Sequence, residues 1–402
     1  MVKQITIIAL LVLLQIQTNA QLKVSADENA LQFLNGKLAI KKGSYWGYVN
    51  PDGKKLLDFV IPETLSESEK FAQPLTNTFA QYDNKLEKFG LIDGNGLNKT
   101  KFVFSKIIGF SENIGTAIKS LVYKKGNQKI ETSQAVYLSE AGTELFKLPP
   151  QVYISNKNLL TWDYLNDFGL FNEGLAYVPA LNIAQPGEAI YGYINNKGVT
   201  VIKPSFVNAS NFSEGIAIVS RYNNYKQLKW GAIDKTGKTV VDFIYTNKPS
   251  NFKNGLSRIK TNKGKYGFIN KNGNLIISAE YDWASEFYNG FALVGNYTTS
   301  NNIALPSYLI NTSGITINNF SQYYFISVLF PENPQICDGL IKCKNDKNLY
   351  GAIDITGTVK VPFKFVRLEN FSNNRAYGET DDKKGFINTN GTWAFEIKPE
   401  IY

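Results

Sequence analysis

Nine times along this chain a glycine stands six residues after a position that is usually glycine as well, and an Asp or Asn usually stands three residues before that second glycine. The second glycines are Gly53, Gly96, Gly142, Gly198, Gly237, Gly273, Gly314, Gly357 and Gly391. The residues three before them are Asn50, Asp93, Ser139, Asn195, Asp234, Asn270, Asn311, Asp354 and Asn388, so only Ser139 departs from the rule. A pattern recurring every few tens of residues marks a tandem-repeat architecture, in which thin units gain stability by packing on their neighbours.

The clearest unit runs Lys229-Trp230-Gly231-Ala232-Ile233-Asp234-Lys235-Thr236-Gly237, and the next repeats it as Lys265-Tyr266-Gly267-Phe268-Ile269-Asn270-Lys271-Asn272-Gly273. Asp or Asn opens a turn and Gly closes it, because Gly takes positive φ without a Cβ clash. Strand parity puts Trp230, Ala232 and Asp234 on one face and Gly231 and Ile233 on the other. A Gly inside a strand admits close approach by a neighbouring backbone or ring. Phe212-Ser213-Glu214-Gly215-Ile216-Ala217 reads as a second turn with an aromatic anchor, leading into another short strand.

Each unit is therefore a three-stranded antiparallel meander. The expected fold is all-β: a tandem array of about nine such meanders over residues 33–402, preceded by a lead-in at 21–32. The first-glycine positions are Gly47, Gly90, Val136, Gly192, Gly231, Gly267, Tyr308, Gly351 and Gly385, spaced 34 to 56 residues apart. Irregular spacing, and nine units where a propeller has roughly four to eight blades, favour an open superhelical, solenoid-like stack over a β-propeller-like closed ring.

Lys229-Trp230-Gly231, with Trp46-Gly47, Phe89-Gly90, Tyr191-Gly192, Tyr266-Gly267 and Tyr350-Gly351, resembles the WG-repeat (KWG-repeat) family of bacterial proteins. The resemblance spans roughly residues 33–402, and Val136, Tyr308 and Lys384-Gly385 depart from it. It implies β-rich repeats and exported or surface interaction roles, and it brings no catalytic motif.

Residues Met1–Ala20 read as a secretory signal peptide: Lys3 is the positive region, Ile5–Leu14 the apolar core and Thr18-Asn19-Ala20 the cleavage site. The apolar core is half the length a spanning helix needs. The mature chain is expected to begin at Gln21, to carry no membrane span, and to be periplasmic or secreted. The net charge of +9 is spread without a dense block, which argues for an ordinary surface or an anionic glycan partner and against a nucleic-acid footprint.

Histidine is absent from all 402 residues, which excludes His-dependent triads, His acid–base work and the usual zinc sites. Cys337 and Cys343 could bridge only if the chain bends at Asp338-Gly339. No phosphate loop or calcium loop is present, and neither cofactor nor metal is expected. Paired carboxylates are the remaining acid–base apparatus. Asp93, Asp234 and Asp354 open repeat turns, and Glu112, Glu173, Glu214 and Glu286 fall in the second turn, so these read as structural. Asp163 with Asp167 is the nearest thing to an off-frame acidic pair.

The in-frame aromatics, among them Phe110, Phe212, Phe252, Phe287 and Phe371, read as core. Two excursions break the frame. Thr143–Leu170 carries Trp162, Tyr164 and Phe168, and Ile315–Pro334 carries Tyr323, Tyr324 and Phe325. Insertions in repeats map to loops, often on a binding face, so these six residues are the candidate contacts. The expected role is a non-enzymatic binding or scaffold protein of the envelope that engages protein or glycan. The alternative is a carboxylate-dependent glycan hydrolase.

Overall fold

The computed structural model describes residues 22–23, 36–42, 45–62, 78–83, 85–125, 128–149, 167–181, 189–297, 304–320, 322–323 and 336–398. Secondary structure among them is strand and turn. The strands form eight sheets of three to five strands and one two-stranded hairpin, Thr78–Asp83 with Lys88–Asp93. The chain divides into two compact units, one of residues 64–336 and one that joins residues 1–63 to 337–402.

A central repeat shows how the sequence builds each sheet. Ile216–Tyr222, Leu228–Asp234 and Thr239–Tyr245 form an antiparallel meander. The turn between the last two strands is closed by Gly237 at φ 86°. The Gly237 N–H donates to the Asp234 carbonyl at 3.0 Å, while the Asp234 carboxylate accepts from the N–H groups of Thr236 and Lys238. All nine second glycines make this bond to the residue three before, at 2.9 to 3.0 Å. Asp and Asn serve equally because the requirement is an acceptor oxygen, not a charge.

The first glycine answers a different demand. Trp230 pairs with Tyr245 and Ala232 with Val241, so residues 242–244 bulge opposite Gly231. A Cβ on Gly231 would lie 2.6 Å from the Val241 carbonyl oxygen. Where the first glycine is missing, so is this bulge: Val136 faces Lys147 directly and Tyr308 faces Asn319 directly. The aromatic-Gly pair therefore encodes a bulge in the third strand, which adds local twist.

Among the described residues the second turn of a repeat is a two-residue hairpin turn with positive φ at both central positions, as at Glu214 (54°) and Gly215 (83°). Its side chain links one repeat to the next. In the 64–336 unit the Gly174 N–H donates to Glu112, the Gly215 N–H to Glu173, and the Gly255 N–H to Glu214, at 2.8 to 3.0 Å. Asn254 accepts from the Gly290 N–H at 3.1 Å. Lys235 and Lys271, from the glycine-closed turn of the following repeat, reach Glu173 and Glu214 at 3.1 and 3.3 Å. Beneath these latches the anchors Phe212, Phe252 and Phe287 are buried, each in a core built from adjacent repeats.

The second unit corrects the open stack expected from the sequence. Leu38, Ile40 and Val49 of the first repeat share one core with Tyr377, Phe386, Phe395 and Ile397 of the last. Leu22–Lys23 pairs in parallel with Ile397–Lys398. Arg375, beside the last repeat's second turn, donates from Nε to the Pro51 carbonyl at 2.7 Å and from Nη2 to Asp52 at 2.9 Å. Pro51 and Lys235 hold the same place in the glycine-closed turn, so the first repeat meets the last as a following repeat meets the one before it. A linear array cannot bring its ends together in this way. The fold is the closed, β-propeller alternative. Sequence spacing misled because extra length, as in the 12-residue strands Ile114–Lys125 and Gln128–Ser139, is accommodated without changing the antiparallel meander of a repeat.

In the same unit the chain does bend at Asp338 and Gly339, at φ 49° and 77°, as a Cys337–Cys343 bridge would require. Cys343 is nonetheless a buried thiol and not half of a bridge to Cys337. Burial pushes the Cys343 thiol up to about 12, which makes it inert as a nucleophile at neutral pH.

Gly231→Ala is expected to destabilise the chain by about 1–3 kcal/mol, because the bulged strand must move away from the new methyl group. Urea unfolding of the two proteins measures it; an unchanged midpoint would contradict the bulge explanation.

Candidate binding surface

The turns just described crowd one end of each sheet. The glycine-closed turn at 234–237 and the latch turn at 213–216 are neighbours there, because Ile216 pairs with Asp234. Carboxylates at this end are engaged. Hydrogen bonds from the Leu97 and Asn95 N–H groups hold Asp93 below the usual carboxylate range. The Thr236 hydroxyl, with backbone N–H groups, does the same for Asp234. At Asp354 and Glu173 burial works in the opposite direction but is outweighed by hydrogen bonds, from Thr356 and Thr358 at the first and from Lys235 and the Gly215 N–H at the second. These acids are folding devices, in agreement with the reading of the sequence. The inter-repeat reach of Glu112, Glu173 and Glu214 was not legible there.

The opposite end of the sheets has different chemistry. In four repeats the aromatic of the aromatic-Gly pair stands across from a third-strand aromatic: Tyr191 from Phe206, Trp230 from Tyr245, Tyr266 from Tyr281 and, in the other unit, Tyr350 from Phe365, whereas Trp46 faces Ile61. Trp230, Tyr245, Tyr266 and Tyr281 are only half-buried. Cations sit on these rings. Lys248 lies 5.4 Å from the Trp230 ring centre, Arg258 and Lys260 lie 5.3 and 5.2 Å from Tyr266, and Lys344 lies 4.4 Å from Tyr350. Arg221 lies against both Phe206 and Phe243, at 4.4 and 4.8 Å, and burial lowers its pKa. Half-exposed rings under cations can stack on flat or ring-shaped ligands and attract negative charge.

Two neighbouring repeats join this end into one surface. The Thr246 hydroxyl hydrogen-bonds Asn262, and the Asn247 amide donates to the Lys260 carbonyl at 3.2 Å. The loop Tyr222–Leu228 adds Tyr225, which is 84% exposed. Sequence reading placed the in-frame aromatics in the core and so passed over this end. The third-strand partners Tyr245 and Tyr281, each opposite an aromatic-Gly ring, were the available signal.

Of the six residues expected to make contacts, Trp162, Tyr164, Tyr324 and Phe325 lie outside the described residues, as does Asp163. Phe168 is buried among Tyr137, Phe171, Val178 and Ile194. Tyr323 is half-buried, and its N–H donates to the Phe320 carbonyl at 2.9 Å. Asp167 accepts from the Tyr177 hydroxyl at 3.0 Å. Among the described residues no cluster of three metal-ligating side chains occurs, and no helix is long and apolar enough to cross a membrane.

These observations define a class: a closed all-β repeat protein whose chemistry lies in aromatic and cationic side chains at one end of its sheets. The profile of the WG-containing repeat matches residues 191–225, 230–266, 266–296 and 350–383. These stretches of the chain are WG-containing repeats. No curated protein sequence matches it. Among solved structures it is similar to a eukaryotic initiation factor, at 10% identity and TM-score 0.51, over 90% of this chain and 96% of the other. It also matches BamB from Moraxella catarrhalis, at 10% identity and TM-score 0.39, over 83% of this chain and 96% of that one. A third match is the WD40 beta propeller domain of Doa1, at 11% identity and TM-score 0.26, over 71% and 93%. At such identities the likeness concerns the fold alone.

Because Asp93, Asp234, Asp354 and Glu173 hold their protons less tightly in the folded chain, the unfolded chain binds more protons in acid. Their stabilisation is present above about pH 4 and is lost as pH falls through the lowered folded values. The urea midpoint is expected to drop between about pH 5 and pH 3. The double variant Asp234→Asn/Asp354→Asn is expected to flatten that drop while keeping neutral-pH stability within about 1 kcal/mol, since Asn can make the same turn. An unaltered pH slope would contradict the assignment.

Proposed function

We propose that this chain is an exported, non-enzymatic binding or scaffold protein of a bacterial envelope, which engages a protein or glycan partner over the surface of its repeats. The observation that carries the reading is a division of labour within each repeat. The described turn carboxylates accept hydrogen bonds from backbone N–H groups or neighbouring repeats, whereas half-exposed rings and cations recur at the other end. Catalysis by two carboxylates needs a converging acid and base, and acids committed to separate turns do not supply that pair. Repeat surfaces of this kind suit extended partners.

The charged and apolar segments of Met1–Ala20 support export. Amino-terminal sequencing of the processed protein is expected to begin at Gln21 in the periplasmic or culture-fluid fraction; an uncleaved cytoplasmic chain would contradict export. The binding role is tested by incubating the purified chain with envelope polysaccharides and envelope proteins, with retention and polymer length both measured. Retention without shortening of the glycan is expected. Shortened glycan would return the chain to the glycan-hydrolase alternative.

A further inference from the structure

The two ends of the central repeats differ in how their charges are balanced. At the turn end, three cations are matched with carboxylates: Lys235 with Glu173, Lys271 with Glu214 and Lys253 with Glu286, at 2.8 to 3.3 Å. At the opposite end of the same repeats the described residues include Lys226, Lys229, Lys248, Lys260 and Lys263, none of which makes an ion pair with another described residue. The acids nearest this end include Asp242 and Glu280, in the third strands of the two repeats, and Asp282, which is already bound by Lys265 at 2.7 Å. Cations held together without counter-charges repel one another, so such a surface is stabilised by an anionic partner.

The rings narrow the choice of anion. Tyr225 is 84% exposed and Tyr222 46% exposed, both on the loop that carries Lys226. Trp230 and Tyr266 lie half-exposed under Lys248 and Lys260, and the contacts of Thr246 with Asn262 and of Asn247 with Lys260 join the two repeats. Rings and ammonium groups thus alternate across adjacent repeats. A pyranose ring lays its apolar face on an aromatic side chain while its substituents remain available for pairing. A polymer carrying one carboxylate on each sugar meets both demands in register, whereas a neutral glycan meets only the first.

We propose that the end of repeats 208–245 and 256–281 bearing Tyr225, Trp230, Lys248, Lys260, Lys263 and Tyr266 is a binding surface for an acidic, uronic-acid-type polysaccharide. The assignment deepens the proposed binding role and rests on it. Affinity should be strongly salt-dependent, because several ammonium–carboxylate contacts at a solvated surface are screened together.

Alginate oligosaccharides serve as the probe, with a neutral glucan of similar length and single-stranded DNA as comparators, in calorimetric or interferometric titrations against the mature chain. Binding to alginate is expected, with no binding to the glucan and weakening as salt rises. Lys248→Glu/Lys260→Glu is expected to raise Kd at least tenfold, and Tyr225→Ala several-fold. The exposed, unpaired Lys197, in a turn at the other end, provides the control Lys197→Glu, which should bind as the parent does. Circular dichroism and melting temperatures of all variants establish that they fold; Tyr225→Ala, on an exposed loop, keeps the test open if the double variant does not. Alginate binding that survives the variants, absence of alginate binding, or tighter binding of DNA through the same residues would each overturn the assignment. None of these results touches the broader binding role, which fails separately if the chain retains no envelope component or shortens the glycan.

Discussion

A three-stranded meander cannot bury its own faces, and that limitation governs the molecule. Phe212, Phe252 and Phe287 are buried only because the adjacent repeat closes over them. Everything local to a repeat serves to present such a face in the correct register. The glycine-closed turn sets the hairpin, the bulge opposite Gly231 twists the third strand, and the latch turn carries Glu214 to the Gly255 N–H of the next repeat. Because each repeat needs a neighbour on both sides, a terminal repeat has an uncovered face. In the unit that unites the chain's beginning and end, the first and last repeats cover each other with Leu38, Ile40, Phe386 and Phe395.

The distribution of charge follows from the same requirement. Latches concentrate carboxylates and their lysine partners at the turn end, where Asp, Asn and Glu accept backbone N–H groups that would otherwise be unsatisfied. At the opposite end the repeats are joined by uncharged contacts, such as Thr246 with Asn262 and Asn247 with the Lys260 carbonyl. That end keeps lysines, arginines and half-exposed rings, with few acids to balance them. The segregation that holds the repeats together therefore leaves one end basic and aromatic, and the proposed binding role follows from this consequence of assembly.

Much of this was legible in the residues. The Gly237-type turn could be read because it lies within five consecutive residues, and Phe212 because its anchor precedes a turn of recognisable type. The demand for Gly231 was legible as a close approach, although the bulge that causes it lies in the next strand. What could not be read depends on distance in the sequence. Glu214 finds Gly255 41 residues later, and Arg375 finds Asp52 across 323 residues. Nothing local to either residue signals its partner. The choice between an open and a closed array depends on such contacts, and the irregular repeat spacing pointed the other way. At the candidate site, attention to the frame-breaking excursions passed over Trp230, because periodic aromatics read as core even where the fold leaves them half-exposed.

The closure of the repeat array is tested most directly by a distance. Spin labels at Lys54→Cys and Asn390→Cys, with Cys337 and Cys343 replaced by Ser, sit on the glycine-closed turns of the first and last repeats. Sheets pack about 10 Å apart, so adjacent repeats place the labels within about 30 Å once the linkers are included, whereas nine sheets in an open stack would separate them by roughly 80 Å. A dominant distance below about 30 Å is expected; a distribution centred near the longer value would contradict the closed fold.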